Sequence, residues 1–385
     1  MATRWTGNES VAAPAETEAT PAHEPIRVGL IGTGFGATVH LPALAYLPET
    51  EVVAVCSRQA DRALAAAMDY GIPSHVTDYR ELIANPGVEA VVVAAPPHLH
   101  HGMTLAALEA GKHVLCEKPM ARNLAEARDM VRIADRVGVT AMVNHQFRFL
   151  PVRARIKELL AEEYLGELHA ATIAVHRSSL NDPHERPFGW LMEQEKAGGM
   201  LGATGSHHVD ALRWWFGEVK AVAGATATMV TRRRLPDSSA MTTVDADDNF
   251  SVLLKFGNGA LGTIHVTATA AFEGDEEISL SGSRGTLRVR EGRLLGARLG
   301  DHALAELPIP ERLDGGLPAF DHFLTRPTAL LLRTWAQAIR TGEPAAPSFA
   351  DGVKVQELID AVARSGAQGR WIDTSGARWP RGTAV

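Results

Sequence analysis

The sequence predicts an α/β fold in two parts: an N-terminal doubly wound parallel sheet, then a C-terminal α+β domain with a large open, mainly antiparallel sheet. Three observations carry this expectation. Up to about residue 145, continuous apolar, β-rich runs alternate with helical patterns, as in parallel sheets covered on both faces. Beyond that point strands alternate apolar and polar residues and follow one another through glycine-rich hairpins. The chain has 385 residues, and a single core seldom grows past roughly 250–300. The expected division is a disordered tail over 1–24, the doubly wound domain over 25–145, the α+β domain over 146–372, and a tail over 373–385.

Taken in order, strands are expected at Ile26–Ile31, Val52–Cys56, Val88–Ala94, His113–Cys116 and Val139–Val143. Between them lie helices at Ala60–Met68, Met103–Ala110 (stopped by Gly111) and Leu124–Val137 (stopped by Gly138). The pattern changes near Gln146. A helix over Val152–Leu160 leads into strands at Ala170–Val175 and Ala221–Val230. Phe250–Phe256 and Ala260–Ala270 flank Gly257-Asn258-Gly259, a strong hairpin signal. Ile278–Ser281 and Thr286–Arg290 flank Gly282-Ser283-Arg284-Gly285, a second one. Helices at Arg326–Arg340 and Asp351–Ala363 close the chain.

Composition narrows the function. Net charge is −7, whereas nucleic-acid surfaces are usually basic, so no nucleic-acid partner is expected. The one basic run, Arg232-Arg233-Arg234, reads as a solvated loop. No apolar run reaches the roughly 20 residues of a membrane helix, and the first residues lack a secretory pattern. The two cysteines, Cys56 and Cys116, make neither a disulfide framework nor a zinc spacing. Together these features indicate a cytoplasmic protein with no membrane partner and no metal.

Gly32-Thr33-Gly34-Phe35-Gly36-Ala37 directly follows the first strand and opens a helix. In that context G-x-G-x-x-A is a dinucleotide fingerprint. Gly32 permits the tight turn, Gly34 lets the backbone approach a pyrophosphate, and Ala37 lets the helix sit close to the strand. An acidic residue ending the second strand would bind the ribose hydroxyls of NAD. Here Cys56-Ser57-Arg58 stands instead. Ser57 does not repel a 2′-phosphate, and Arg58 is suited to pair with it, with Arg62 one turn on. NADP is therefore expected to be preferred over NAD.

Two further stretches carry chemistry. Cys116-Glu117-Lys118-Pro119 ends a parallel strand, the edge where doubly wound sheets bind ligands. Lys118 there suits stabilisation of a developing alkoxide. Gly198 to Asp210 is a glycine-rich loop running into a helix, with His207 and Asp210 on one face. An imidazole suits reversible proton transfer from an alcohol. Pro96-Pro97-His98-Leu99-His100-His101 follows the third strand as a loop; no carboxylate or cysteine at ligand spacing accompanies its histidines. Trp214 and Trp215 read as core or interface aromatics.

In this order, Gly32 to Ala37, Glu117-Lys118-Pro119, Phe147-Arg148-Phe149, Gly205 to Asp210 and Phe349-Ala350-Asp351-Gly352 resemble the Gfo/Idh/MocA oxidoreductase family, from about Ile26 to Trp371. The resemblance implies a Rossmann domain, a nicotinamide cofactor, sugar or cyclitol substrates, and a homodimer or homotetramer formed through the open sheet. It implies catalytic roles for Lys118, His207 and Asp210, the last orienting the lysine or histidine. The cofactor would be held by Gly32, Thr33, Gly34, Phe35, Gly36, Ser57, Arg58, Ala95, Pro96, His98, His101, Glu117, Lys118 and Arg148. The substrate would meet Lys118, Arg148, Trp190, His207 and His208. One departure matters: many members carry an aspartate four residues before the histidine, and here that position is Ala203. The expected activity is hydride transfer between NADP(H) and a hydroxyl or keto carbon of a polyol. The alternatives are a nicotinamide-dependent glycosidase or lyase acting by transient oxidation, and a non-catalytic cofactor or sugar sensor, which Ala203 keeps in play.

Overall fold

The computed structural model describes residues 24–376; the expected tails, apart from their innermost residues, lie outside the described residues. The N-terminal sheet contains β1 (Ile26–Ile31), β2 (Thr50–Cys56), β3 (Ser74–Val76), β4 (Ala90–Val93), β5 (His113–Cys116) and β6 (Ala141–Val143). Its helices are α1 (Leu41–Tyr46), α2 (Ala60–Tyr70), α3 (Tyr79–Ala84), α4 (Pro97–Glu109) and α5 (Leu124–Val137). All six strands are parallel, in the order β3-β2-β1-β4-β5-β6. The order reverses at β1, so the carboxyl ends of β1 and β4 diverge and open a crevice.

The remainder comprises α6 (Pro151–Ala161), β7 (Leu168–His176), α7 (Ser206–Phe216), β8 (Val219–Ala227), β9 (Arg232–Arg234), β10 (Met241–Thr243), β11 (Asn249–Phe256), β12 (Leu261–Thr267), β13 (Glu277–Gly282), β14 (Gly285–Arg290), β15 (Arg293–Arg298), β16 (Ala305–Glu306), α8 (Thr325–Thr341), α9 (Phe349–Gln368) and β17 (Ile372–Asp373). Nine strands form one mixed sheet, β16-β15-β14-β13-β7-β12-β11-β8-β17. Only β7 and β12 pair in parallel; the other pairs are antiparallel. Alternation in β11 buries Phe250, Val252, Leu254 and Phe256 against α7 and α9, and leaves Ser251, Leu253 and Lys255 exposed on the outer face.

Helices α8 and α9 come from the end of the chain yet complete the first sheet. Leu331, Leu332 and Trp335 of α8 share a core with Val28, Leu30, Leu41 and Leu44. Phe349 and Val353 of α9 join Val143 and Met130, while Val355, Leu358 and Val362 face the second sheet. One helix thus welds the two sheets together. The chain also stays paired past Ile372: Asp373 lies in β17, and Thr374 N–H donates to the Lys220 carbonyl at 2.8 Å.

Several expectations need correction. Helix α4 begins at Pro97, not Met103, because proline is favoured in a first helical turn where its missing N–H is not needed. His98, His100 and His101 are therefore helical rather than in a loop. No element is expected between Met68 and Val88, but β3 and α3 lie there, α3 capped by Asp78 accepting from Arg80 N–H. Strand β15 is not expected either; it follows β14 through Glu291-Gly292, both at positive φ, a two-residue hairpin without the Asn-Gly or Asp-Gly signature. The arginine run is no solvated loop. It forms β9, and Arg233 is 1% exposed, donating to the carbonyls of Leu180, Asp182 and Arg186.

Those three carbonyls lose their donors in Arg233→Met. At about 1 kcal/mol or more for each orphaned acceptor, the variant should be less stable by roughly 3 kcal/mol in urea unfolding. A midpoint equal to wild type would mean that the guanidinium does not hold the 180–186 segment.

Candidate active site

The crevice at the carboxyl ends of β1, β2 and β4 is built to take a phosphate-bearing ligand. Gly32 has φ +106°, and a Cβ there would sit 2.5 Å from the Ala94 carbonyl oxygen, so neither the turn nor its contact with β4 admits a side chain. Gly34 is exposed, with nothing within 4 Å of where a Cβ would lie, which leaves its backbone open to a ligand. Ala37 packs against the core of the first sheet, and Gly36 comes closer still. Its Cβ position is 3.3 Å from Leu30 and 3.4 Å from Ala94, while Ala37 is partly exposed. The chain from Gly36 to His40 makes a π-type turn before α1. The first N–H groups of such a helical start lack intrahelical partners and favour anions. Thr33 Oγ1 donates to Ser57 Oγ at 2.8 Å, tying the glycine turn to the end of β2, and Arg58 is exposed beside it.

At the end of β5 the chain turns through Glu117-Lys118-Pro119. The Glu117 carboxylate is buried and takes hydrogen bonds from His40 Nε2 at 2.8 Å, Asn144 Nδ2 at 2.5 Å and Lys118 N–H at 3.1 Å. Burial alone would push this acid up. The hydrogen bond and charge of His40, with Lys118 and Asn144, more than reverse that and hold it at about 2. The His100 ring lies between two carbonyl oxygens, Ala95 at 2.7 Å and Pro119 at 3.0 Å, and so locks the end of β4 to the lysine turn. Lys118 Nζ donates to the Ala203 carbonyl at 2.8 Å. Burial lowers the pKa of this amine, and Glu117 works against that.

The partner loop comes from the other half of the chain. Gly199 has φ +98°, and a Cβ there would lie 2.1 Å from Asp247 Oδ1. The other Asp247 oxygen accepts from Leu201 N–H at 2.9 Å, capping the π-type turn Leu201–Gly205 that enters α7. Burial raises Asp247 to about 6. His207, in the first turn of α7, is 2% exposed. Its ring stacks on Phe147 at 3.8 Å with 5° between planes and meets His145 edge-on at 5.8 Å. Burial, and then the charges of Lys118, His145, His208 and Arg153, hold it well below the ordinary histidine range. It is a neutral imidazole at pH 7.

Several expected site residues are occupied elsewhere. Asp210 orients neither Lys118 nor His207. Its carboxylate takes a bidentate pair from Arg148, at 2.8 and 2.6 Å. Arg148 also reaches Asp351 at 3.1 Å and is almost fully buried, so its guanidinium joins α7 to α9 rather than facing cofactor or substrate. His208 does not face the crevice either: its Nδ1 lies 3.1 Å from Arg153 Nη2 and 3.3 Å from Glu276. His101 Nε2 is 3.0 Å from Asp129 on α5. Trp190 packs half-buried against the second core. His98 stays at the crevice edge, pushed down by burial and then by the charges of Lys196 and Arg58. His40, Asn144, His100, Asp247 and the stacking of Phe147 were not expected from the sequence. Asn144 alone had a usable signal, standing just past the carboxyl end of a parallel strand. Among the described residues, no group of three metal-ligating side chains is assembled, and no helix is long and apolar enough to cross a membrane.

Glu117→Gln isolates the buried charge. The folded-state acid lies below its unfolded value of about 4.5, so its stabilisation is fully present above pH 5 and is lost as pH falls toward 2. Wild type should exceed the variant by roughly 3 kcal/mol in denaturant unfolding at pH 7. The gap should close through that acidic window, and a gap independent of pH would mean that packing rather than charge is at work.

Comparison with known proteins agrees with this geometry. The model for an oxidoreductase family with an NAD-binding Rossmann fold matches residues 26–145. The model for that family's C-terminal alpha/beta domain matches residues 157–374. An uncharacterized oxidoreductase of Synechocystis is 32% identical over 356 residues, covering 90% of this chain and 95% of that protein. Levoglucosan dehydrogenase of Pseudarthrobacter phenanthrenivorans is 28% identical, covering 90% and 98%. The inositol 2-dehydrogenase of Rhizobium meliloti is 26% identical, covering 90% and 98%. A solved levoglucosan dehydrogenase in complex with NADH and levoglucosan superimposes with a TM-score of 0.85 at 28% identity, covering 91% of this chain and 100% of that one. With the two family models together matching most of the chain, the chain belongs to the Gfo/Idh/MocA oxidoreductase family and is an NAD(P)-dependent oxidoreductase.

Proposed function

We propose that this enzyme interconverts a secondary hydroxyl and a ketone on a sugar, cyclitol or related polyol, with NADP preferred over NAD. The observation that carries the reading is the meeting of two groups from separate halves of the chain. The Lys118 amine is bonded to Ala203, on the turn that delivers the neutral imidazole of His207. The names of relatives fit such a substrate: a levoglucosan dehydrogenase, an inositol 2-dehydrogenase and a 1,5-anhydro-D-fructose reductase.

A bound nicotinamide dinucleotide supplies the hydride acceptor or donor. Gly32, Thr33, Gly34, Phe35 and Gly36 would hold its pyrophosphate, with Ser57 and Arg58 at the adenosine ribose. His98, Ala95 and Pro96 would border the crevice from β4. NADP preference rests on the absence of a carboxylate at Ser57-Arg58 and on the exposed guanidinium-bearing Arg58 beside Ser57. His207 takes the hydroxyl proton on oxidation and returns it on reduction. The Lys118 ammonium leaves the Ala203 carbonyl to donate to the substrate oxygen and stabilises the developing oxyanion. Glu117 touches neither reacting group; it fixes the backbone of Lys118. The exposed outer face of the second sheet, with Leu253 and Leu261 solvent-facing, suits assembly into a homodimer or homotetramer.

An absorbance screen of polyols and their keto forms, including levoglucosan and myo-inositol, with both cofactors tests this. Lys118→Ala should lower kcat by about 100-fold or more, roughly 3 kcal/mol, with cofactor binding unchanged; wild-type kcat in that variant would remove the assignment. Arg58→Ala should narrow the NADP-over-NAD ratio, and equal use of both cofactors by the unaltered protein would overturn the preference. Leu253→Glu combined with Leu261→Glu should reduce the mass seen by light scattering, and an unchanged mass would exclude this face as the interface.

A further inference from the structure

An imidazole that moves protons usually takes its orientation from a hydrogen bond on one ring nitrogen. His207 has none on Nδ1, which is buried without a partner. Position 203 is alanine, and the Asp210 carboxylate is taken by Arg148. What His207 has instead is the Phe147 ring, parallel to it at 3.8 Å. With one face covered, that ring has only its other face for the Arg153 guanidinium, whose Cζ lies 4.9 Å from the ring centre. Arg153 is 0% exposed, and its Nε and Nη1 have no hydrogen-bond partner. Its Nη2 serves Glu276 and His208. A fully buried guanidinium with two nitrogens unused is expensive to keep; of its two aromatic contacts, the one with Trp215 at 5.9 Å lies in the core and the one with Phe147 reaches the active site.

We propose that Phe147 and Arg153 are positioning residues for His207: the phenyl ring fixes the plane of the imidazole, and the guanidinium on the ring's other face disfavours the imidazolium. The physical reason is that one aromatic quadrupole attracts a cation on either face. With Arg153 already on one side, a second cation on the other gains less from the ring and is repelled through it. The other groups facing His207 are Lys118 from the β5 turn, His145 from the end of β6, and His208 from its own helix. The carboxylates nearest these groups are committed to arginines, Glu276 to Arg153 and Asp210 to Arg148, and neither bonds His207. The inference rests on His207 being the proton acceptor, but its test does not need turnover.

The test is a nitrogen-15 NMR titration of histidine-labelled protein saturated with NADP, with His207 assigned by its loss in His207→Asn. In the wild type His207 should stay neutral and in a single tautomer through the range in which an ordinary histidine titrates. Arg153→Met should raise its apparent pKa by about one unit, and Arg153→Lys, which keeps the charge, should restore most of the shift. Phe147→Leu, which keeps apolar bulk and the Arg153–Glu276 pair, should give mixed tautomers, and Phe147→Tyr should recover one. If Arg153→Met does not fold, the Phe147 pair decides alone. Coincident titrations in wild type and Arg153→Met, or one tautomer in Phe147→Leu, would overturn the proposal. Normal turnover in His207→Ala, with the titrations moving as expected, would instead remove the catalytic reading and leave the stack standing.

Discussion

A carboxylate taken out of water must be met by donors or it will not stay ionised, and the centre of this molecule is arranged around that constraint. Glu117 sits just past the end of β5, where three separate pieces of backbone converge to satisfy it: the start of α1 through His40, the end of β6 through Asn144, and its own turn through Lys118 N–H. These bonds register the glycine turn, the lysine turn and the exit of β6 against one another. Because they are charge-assisted and buried, they resist small displacements more than surface contacts do. The position of Lys118 follows from that network, and His100 fixes it from the side of β4.

The second half of the molecule answers with a different arrangement. Carboxylates near α7 are committed to arginines that splice elements together: Asp210 and Asp351 to Arg148, and Glu276 to Arg153. What is left facing His207 is cationic or aromatic. A buried imidazole in that field stays neutral, which is the form that accepts a proton from an alcohol. A single side chain at position 203 separates this arrangement from one with a carboxylate at the histidine. Lys118 rests on the backbone carbonyl of that same residue.

Much of the scaffold was legible because it follows from local rules. Periodicity, glycine stops and hairpin turns placed β1, β5 and α5 at their observed bounds and β14 within one residue of them, since nothing distant competes with those signals. The short β3 and α3 escaped because three to six residues carry little periodicity. The hairpin at Glu291-Gly292 escaped because glutamate at positive φ is tolerated there only by the pairing of β14 with β15. Arg233 looked like a surface charge, since composition cannot tell a solvated guanidinium from one buried under three carbonyls.

By itself the sequence determined the crevice and the identities of the groups fit for chemistry: the glycine turn, a lysine at a strand end and a histidine at a helix start. Each is written in residues a few positions apart. Which carboxylate serves which cation was decided only in three dimensions. Arg148 and Asp210 are 62 residues apart and His40 and Glu117 are 77 apart, and Arg148 had several acids within possible reach. Ion pairing depends on which partners packing brings to about 3 Å after desolvation, and spacing along the chain carries no record of that distance.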